Sequence, residues 1–485
     1  MNLKIVAKIL GLILIFLSFT MLLPLPFAYY YDSQDQASFI FSFSITFLVG
    51  ILAFFSTKRN LGASQKDIHP KEGFAIVGFG WVALSLFGAL PYVISGAIPS
   101  YTDAFFETMS GFTTTGASIL SDIEALPKGI LFWRSFTHWI GGMGIIVFSI
   151  AILPFLGVAG MQLFKAEVPG PTADKLTPRI TETAKILWGV YFMFTIIETV
   201  LLMFAGINLY DALCHTFGTM ATGGFSTKNA SIAAFNNPTI DYIIIFFMII
   251  AGANFALHYR VLTGNYRELF RNEELKYFLL IIIFATAFIT YDILRLNYVN
   301  LSDSIRHALF QVVSIMTTTG YGTFDYEKLS ATTHFILLLL MFIGGCAGST
   351  GGGLKVVRSI ILTKYVYTEI KRLIHPKAII PVRFGGRAIE KNILSNISAF
   401  FIIYLLISVF SILLLTLFNV DIVTSLGAVA ACINNIGPGL ADVGPTDNYS
   451  HFHPFVKWFL SFLMLLGRLE IFTILVLLTP AFWKK

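Results

Sequence analysis

Residues 316–324 read MTTTGYGTF, and they lie between two oily segments. Three consecutive threonines are stiff at χ1 and two glycines weaken helix and strand alike, so the stretch favours neither. Its flanks are membrane segments by composition. The 485-residue chain is 56% hydrophobic and only 12% charged, with a mean hydropathy of +0.77, which places it in the bilayer-spanning class. Irregular backbone at membrane depth survives only where protein surrounds it or where it lines a water-filled path.

Uncharged stretches long enough to cross about 30 Å of hydrocarbon as helix run at 9–31, 36–57, 73–102, 135–164, 329–354 and 392–420. Less clean ones lie near 183–206, 240–259, 277–294 and 455–483, giving ten expected crossings. Lys4 and Lys8 flank an apolar run that continues through LPLPFAYYYD without a small-residue cleavage site, so the N-terminal segment reads as a retained helix. The net charge of +6 sorts by loop. Lys58, Arg59, Lys66 and Lys71, then Lys165, Lys175 and Arg179, then Arg260, Arg267 and Arg271, and above all 355–391, are basic. The opposite loops carry Asp32, Asp35, Asp122, Glu124, Asp325, Glu327, Asp442 and Asp447. The positive-inside rule makes the basic set cytoplasmic, with both termini on that side.

MTTTGYGTF is one of four related stretches, the others being MSGFTTTGAS (109–118), GTMATGGFS (218–226) and INNIGPGL (433–440). With Gly116, Gly223, Gly320 and Gly437 taken as equivalent, they stand 107, 97 and 117 residues apart, one structural repeat each. An apolar crossing precedes and follows every glycine, and a helical run too short to span lies just before it. The predicted fold is an all-α integral membrane protein: four parallel helix–pore-helix–loop–helix repeats around one central pore, plus two extra N-terminal transmembrane helices. The predicted boundaries are 1–69 for the N-terminal pair, then 70–165, 166–265, 266–375 and 376–485 for the repeats. Asp103, Asp211, Asp303 and Asp421 stand near the starts of the short helices and read as their N-caps. Each such helix would aim its partly negative C-terminal end at the loop that follows. Four loops converging there would present rings of carbonyl oxygens able to replace a cation's hydration shell.

TTTGYG (317–322) resembles the TVGYG filter of potassium channels, in which backbone carbonyls coordinate the ion. From about residue 70 onward the chain resembles the Trk/Ktr/HKT superfamily of potassium transporters, and most of all its bacterial TrkH-type membrane subunits. Beyond the four loops, the resemblance rests on FIGGCAGSTGGGLKVVR (342–358), WIGGMGIIVFSIAILP (139–154) and GRLEIF (467–472). It implies uptake of K⁺, and of Rb⁺ in its place, through a gated channel-like pore in a bacterial inner membrane. A homodimer regulated by a cytosolic TrkA-like nucleotide-binding ring is implied as well. Carried onto this chain, the ion would be held by carbonyls of Thr114 and Thr115, Ala221 and Thr222, Thr318 and Thr319, and Asn435 and Ile436, each pair preceding its glycine. Members of the superfamily selective for sodium typically carry serine at the position of Gly116.

The glycine-rich run 344–353 interrupts what would otherwise be one helix from about 334 to 362. It lacks the strand and the G-x-x-x-x-G-K-[ST] spacing of a phosphate loop. The resemblance makes it an intramembrane loop that occludes the pore, with Gly344, Gly345, Gly348, Gly351, Gly352 and Gly353 as its flexible positions. Arg468 lies among FLMLLG and IFTILVLL, where a charge requires a task or a partner. Its five donors and the loop's unpaired carbonyls would satisfy each other, so Arg468 joins the expected gate. Glu470, two residues on, lies on another helix face and is no within-helix partner.

His138, His215 and His307 share no ligand spacing, Cys214, Cys346 and Cys432 sit in or beside apolar segments, and no nucleophile–base set can be assembled. Neither an enzyme, nor a metal centre other than K⁺ at the filter, nor nucleic-acid binding is expected. The runner-up function is an alternating-access symporter coupled to H⁺ or Na⁺. Such carriers are commonly built from inverted repeats, whereas the four units here run parallel.

Overall fold

Helices that are apolar all round need no single buried face, because lipid or protein can cover any side. A computed structural model of the chain, which describes residues 1–56, 69–144, 180–296 and 299–484, places four such helices at regular intervals. They are Pro70–Gly88, Ile180–Phe204, Glu273–Arg295 and Lys391–Leu417. Each leads into a short pore helix: Tyr101–Phe112, Leu209–Met220, Leu301–Met316 and Ile422–Ile433. A non-helical loop follows, and then a descending helix that starts at Lys128, Pro238, Ala331 or Pro454. The unit of helix, half-helix, loop and helix therefore occurs four times. Among the described residues the one strand pairing is a small hairpin, Arg383–Phe384 with Arg387–Ala388. The basic segment expected as a loop at 355–391 is in part helix, since Val356–Ile374 is helical before that hairpin.

Two further helices, Leu3–Thr20 and Gln36–Phe55, precede the repeats. They cross where Gly11 meets Gly50, so closely that a Cβ on Gly11 would lie 2.7 Å from the Gly50 carbonyl oxygen. Small residues permit this approach between membrane helices. The pair is tied to the first repeat at both ends. The Asn2 amide donates to Glu72 at 2.7 Å, and Asp35 Oδ2 accepts from the Ile130 amide at 2.9 Å, satisfying an orphan donor at the start of the first descending helix.

The aspartate caps need correcting in three repeats. Ser100, Asn208 and Asn300 are the N-caps, and their side chains accept from the amides of Asp103, Asp211 and Asp303 three residues on. Only in the fourth helix is the aspartate itself the cap, with Asp421 accepting from the Val423 and Thr424 amides. The acidic residues still stand in the first turn, where they complement the positive end of the helix dipole. The direction argued from the sequence is kept, and the residue that makes the cap differs.

Six described helices are long and apolar enough to cross a membrane, or seven if one bent pair is a single span. The shortfall against ten lies in the descending helices. That of repeat 2 bends by 102° between Pro238–Gly252 and Phe255–Leu262. Those of repeats 3 and 4 stop at Ile343 and Arg468 and resume at Val356 and Phe472. The crossing expected at 135–164 leaves the described residues after Gly144, as do basic positions 58, 59, 66, 165, 175 and 179. Thirteen to fifteen helical residues rise only about 20 Å, so neither of those helices spans by itself.

If Asn300 is the cap, Asn300→Ala should cost about 1 kcal/mol of stability. Thermal unfolding of the purified protein in detergent would read this as a lowered midpoint. An unchanged midpoint would remove the cap from the account.

Candidate functional site

The ends of the four pore helices are built alike, atom for atom. The amides of Thr115, Gly223, Thr319 and Ile436 each donate to the carbonyl five residues back, on Ser110, Gly218, Ser314 and Ala431. The residue before each is left-handed: Thr114 (φ 54°), Thr222 (φ 53°), Thr318 (φ 60°) and Asn435 (φ 55°). Two residues further on comes a left-handed glycine, namely Gly116, Gly224, Gly320 or Gly437. The helix thus ends in an αL cap, and the chain turns back with its carbonyls exposed.

This pattern corrects the register of the second repeat. Gly224, not Gly223, is the counterpart of the other three glycines, and the spacings become 108, 96 and 117 residues. ATGGFS offers two adjacent glycines, and the composition of the motif alone does not choose between them. The backbone does, since Gly224 is the one with positive φ. The pair matching Thr114 and Thr115 is therefore Thr222 and Gly223 rather than Ala221 and Thr222.

The four loops close on one another. A Cβ on Gly116 would strike the carbonyl oxygen of Gly223, one on Gly224 that of Thr319, one on Gly320 that of Ile436, and one on Gly437 that of Thr115. Repeat 1 thus abuts 2, 2 abuts 3, 3 abuts 4 and 4 abuts 1. All four glycines line a single cavity of about 180 Å³, whose lining also includes Arg134, Lys228 and Asp447. Beside it, Asn229 donates to Asp122 at 2.9 Å and holds that carboxyl below the usual range.

Side chains brace the ring from behind. The Thr113 and Thr115 hydroxyls pair at 2.8 Å, as do those of Thr317 and Thr319. Asn435 Nδ2 donates to Thr115 Oγ1 at 2.9 Å. The Tyr321 hydroxyl, from the GYG of the third loop, reaches the carbonyls of His215 (2.9 Å) and Phe225 (3.2 Å) in the second repeat. Tyr326 donates to the Gly439 carbonyl at 2.6 Å, and Tyr449 to that of Gly437 at 2.8 Å.

The segment 344–353 is non-helical and lies against the ends of the pore helices. The Gly352 amide donates to Thr318 Oγ1 at 2.8 Å, and Thr350 Oγ1 donates to the Met220 carbonyl at 3.1 Å. A Cβ on Gly351 would lie 2.8 Å from the Thr317 oxygen, and one on Gly352 would strike that of Asn434. Gly344, Gly348 and Gly353 are left-handed, and Gly345 comes within 3.0 Å of the Gly252 oxygen by the same measure. Repeats 2, 3 and 4 therefore touch the segment directly. Repeat 1 meets it through Arg468, which donates to the Thr350 carbonyl (2.6 Å), to Thr114 Oγ1 (3.2 Å) and to the carbonyls of Gly141 (2.5 Å) and Gly142 (2.8 Å). Glu470 pairs with Arg358 across to the helix that follows the segment, and Lys355 turns its ammonium onto the Gly351 carbonyl.

The sequence leads to a break in the third descending helix, and the structure extends it: all four descending helices end or bend at a comparable distance beyond the loop glycine. The first ends at Gly142, the second at Gly252, the third at Ile343 and the fourth at Arg468. The break in the second repeat is the cradle for the segment of the third. Cys346 and Thr350 amides donate to the Gly252 and Ala251 carbonyls, and the Phe255 amide to the Gly348 carbonyl. The available signal was a glycine near each break, in GGMG, AGAN, GGCAG and GRLE.

The cation transport protein family TrkH matches residues 36–485. The chain belongs to this family. It is 42% identical over 492 residues to the Trk system potassium uptake protein TrkH of Salmonella typhimurium, and 41% identical over 493 residues to that of Escherichia coli K12, with full coverage of both chains in each case. The crystal structure of the potassium transporter TrkH from Vibrio parahaemolyticus superposes with a TM-score of 0.87 at 38% identity, covering all of both chains.

The register makes a prediction that separates two adjacent glycines. Gly224→Ala puts a Cβ into backbone at positive φ, and trimming a side chain gives it no room. Gly223→Ala, at a negative φ, would push first against the His138 ring. Rubidium uptake lost in Gly223→Ala should recover in Gly223→Ala/His138→Ser, whereas His138→Ser should not rescue Gly224→Ala. Rescue of Gly224→Ala instead would return the register to Gly223.

Proposed function

We propose that this TrkH-family protein is a potassium-uptake pore whose selectivity filter is the ring of four loops. The observation that carries the reading is the closure of that ring, each left-handed glycine seated against the next repeat's carbonyl. The relatives named as potassium uptake proteins support it. A cation entering from the outer cavity would exchange its waters for the carbonyls of Thr114 and Thr115, Thr222 and Gly223, Thr318 and Thr319, and Asn435 and Ile436. Four pore helices would add the favourable ends of their dipoles. K⁺, and Rb⁺ in its place, is the transported and bound ion.

In the same reading, 344–353 is the gate and Arg468 its electrostatic part. The bent segment narrows the path, and the guanidinium opposes an approaching cation. At about 6 Å and an effective dielectric constant of about 20, two unit charges repel by roughly 3 kcal/mol. The protein would act in a bacterial cytoplasmic membrane with both termini inside, as a homodimer, under a TrkA-like cytosolic nucleotide-binding ring. The basic end of Val356–Ile374 and the hairpin beyond it offer that ring a docking surface. A regulator would open the path by moving these elements and, with them, the segment they flank.

Liposomes containing the purified protein should take up rubidium in preference to sodium, and sodium entering as readily as rubidium would defeat the filter. Gly116→Ser, whose side chain meets the Gly223 carbonyl, should lower the rubidium-to-sodium ratio. Without a regulator, Arg468→Ala should raise rubidium flux by about a hundredfold, given a barrier of that size. A folded Arg468→Ala protein that conducts no faster than wild type would make the arginine structural.

A further inference from the structure

Two charged side chains are buried behind the ring at the junction of repeats 1 and 2. Glu107, on the first pore helix, is 0% exposed, and Arg134, on the first descending helix, is 2% exposed. Arg134 Nε donates to Glu107 Oε1 at 2.6 Å. The same carboxylate accepts from Ser118 Oγ and from the Ile119 amide, both at 2.9 Å, so it grips the chain just after Gly116. The guanidinium reaches the other way. Its Nη1 donates to the Ser226 carbonyl at 3.0 Å, and it lies 3.5 Å from the centre of the Phe225 ring, gripping the chain just after Gly224. Phe225 is in turn stacked with His138, ring centres 4.0 Å apart.

Stability alone is a poor reason for such a pair. Desolvating two charges costs several kcal/mol each, and apolar residues of similar volume often serve as well or better. What an ion pair with this geometry supplies is position, because its fork and its carboxylate each fix a second partner. The second loop lacks an internal brace that two of the others have. The first and third loops carry internal threonine pairs, 113 with 115 and 317 with 319. At the matching places of the second loop stand Ala221 and Gly223, which have no hydroxyl to offer. That loop is held from outside, by Tyr321 on one side and by Arg134 on the other.

We propose that Glu107 and Arg134 are positioning residues for ion selectivity, which set the separation of the first and second filter loops and so the size of the carbonyl ring. This rests on the reading of the ring as the filter. Discrimination between K⁺ and the smaller Na⁺ then depends on a network that supplies none of the carbonyls that hold the ion. Loosening it lets the ring contract around the smaller ion, while the total open path is retained.

The test uses the full chain in liposomes, with rubidium and sodium uptake measured separately and thermal stability measured in parallel. Arg134→Lys keeps a charge opposite Glu107 but cannot also hold the Ser226 carbonyl and cover Phe225. It should lower the rubidium-to-sodium ratio by about tenfold, the factor expected for a lost charged hydrogen bond, mainly by admitting sodium, with little change in unfolding midpoint. Ser118→Ala and Phe225→Leu, which trim contacts at the edge of the network and keep the Glu107–Arg134 pair, should lower the ratio less. If both ions slow equally in Arg134→Lys, or the ratio stays at the wild-type value, the positioning role is overturned. Should Arg134→Lys fail to fold, an unchanged ratio in both edge variants overturns it equally. A wild-type protein that does not discriminate defeats the filter itself, an outcome distinct from unaltered discrimination in the variants.

Discussion

Four glycines without side chains, each pressed against a carbonyl of the next repeat, set the terms for everything around them. Positive φ at Gly116, Gly224, Gly320 and Gly437 turns the backbone so that the preceding carbonyls face the neighbouring loop, and the missing Cβ is the space that the neighbour's oxygen occupies. Neither condition can be relaxed separately. A side chain there would both strain the backbone and spread the ring. The ring closes only if four pore helices end at one level, and matching αL caps bring this about.

A second constraint follows from the first. A descending helix that ran straight past the ring would have to clear the pore-helix ends, and in repeats 1, 2 and 4 a glycine makes the close approach. Gly141 meets the Phe112 carbonyl, Gly252 the Thr317 side chain and Gly467 the Ile433 carbonyl. Breaking the helices there exposes carbonyls in a place where water cannot reach all of them, and these must find partners within the protein. The partners come from neighbouring repeats. The amides of Cys346 and Thr350 satisfy the break of repeat 2, and Arg468 satisfies the carbonyls at Gly141, Gly142 and Thr350. The half-buried arginine is therefore a partner for the broken helices as well as a candidate barrier to cations, and the two roles use the same donors.

The repeat unit, the pore helices and the position of the loops were legible because each leaves a periodic trace: apolar length, a polar residue before a short helix, and Thr or Gly after it. The interruption at 344–353 was legible because six glycines in ten residues cannot continue a helix. What was not legible depended on contacts between repeats. Gly223 and Gly224 are chemically identical in the sequence, and only their φ values and neighbours distinguish them. Residue type does not single out Ser100, Asn208 and Asn300 as caps, because an aspartate three residues later is an equally plausible one. The breaks in repeats 2 and 4 each turn on a single glycine, Gly252 or Gly467, in an otherwise apolar run, a weaker signal than the run in repeat 3. Arg468 stood out as a charge in an oily segment, but its bond to Thr114, on another repeat, could not be read from spacing.

Repeats joined in one chain are free to differ, and the differences here fall where identical subunits would be at a disadvantage. A symmetrical ring would place four copies of any plug at one axis, and four copies of any buried charge around it. Among the described residues of this chain the non-helical segment 344–353 comes from repeat 3, the arginine that contacts it from repeat 4, and the Glu107–Arg134 pair from repeat 1. Repeat 2 carries the least elaborated loop and accepts support from both sides. The departures of its sequence from TTTG are thus matched by side chains on its neighbours, Tyr321 and Arg134, that have a carbonyl of repeat 2 as partner. Divergence of the second loop and elaboration of the first and third are two sides of one arrangement, in which near-fourfold backbone geometry is kept by unlike side chains.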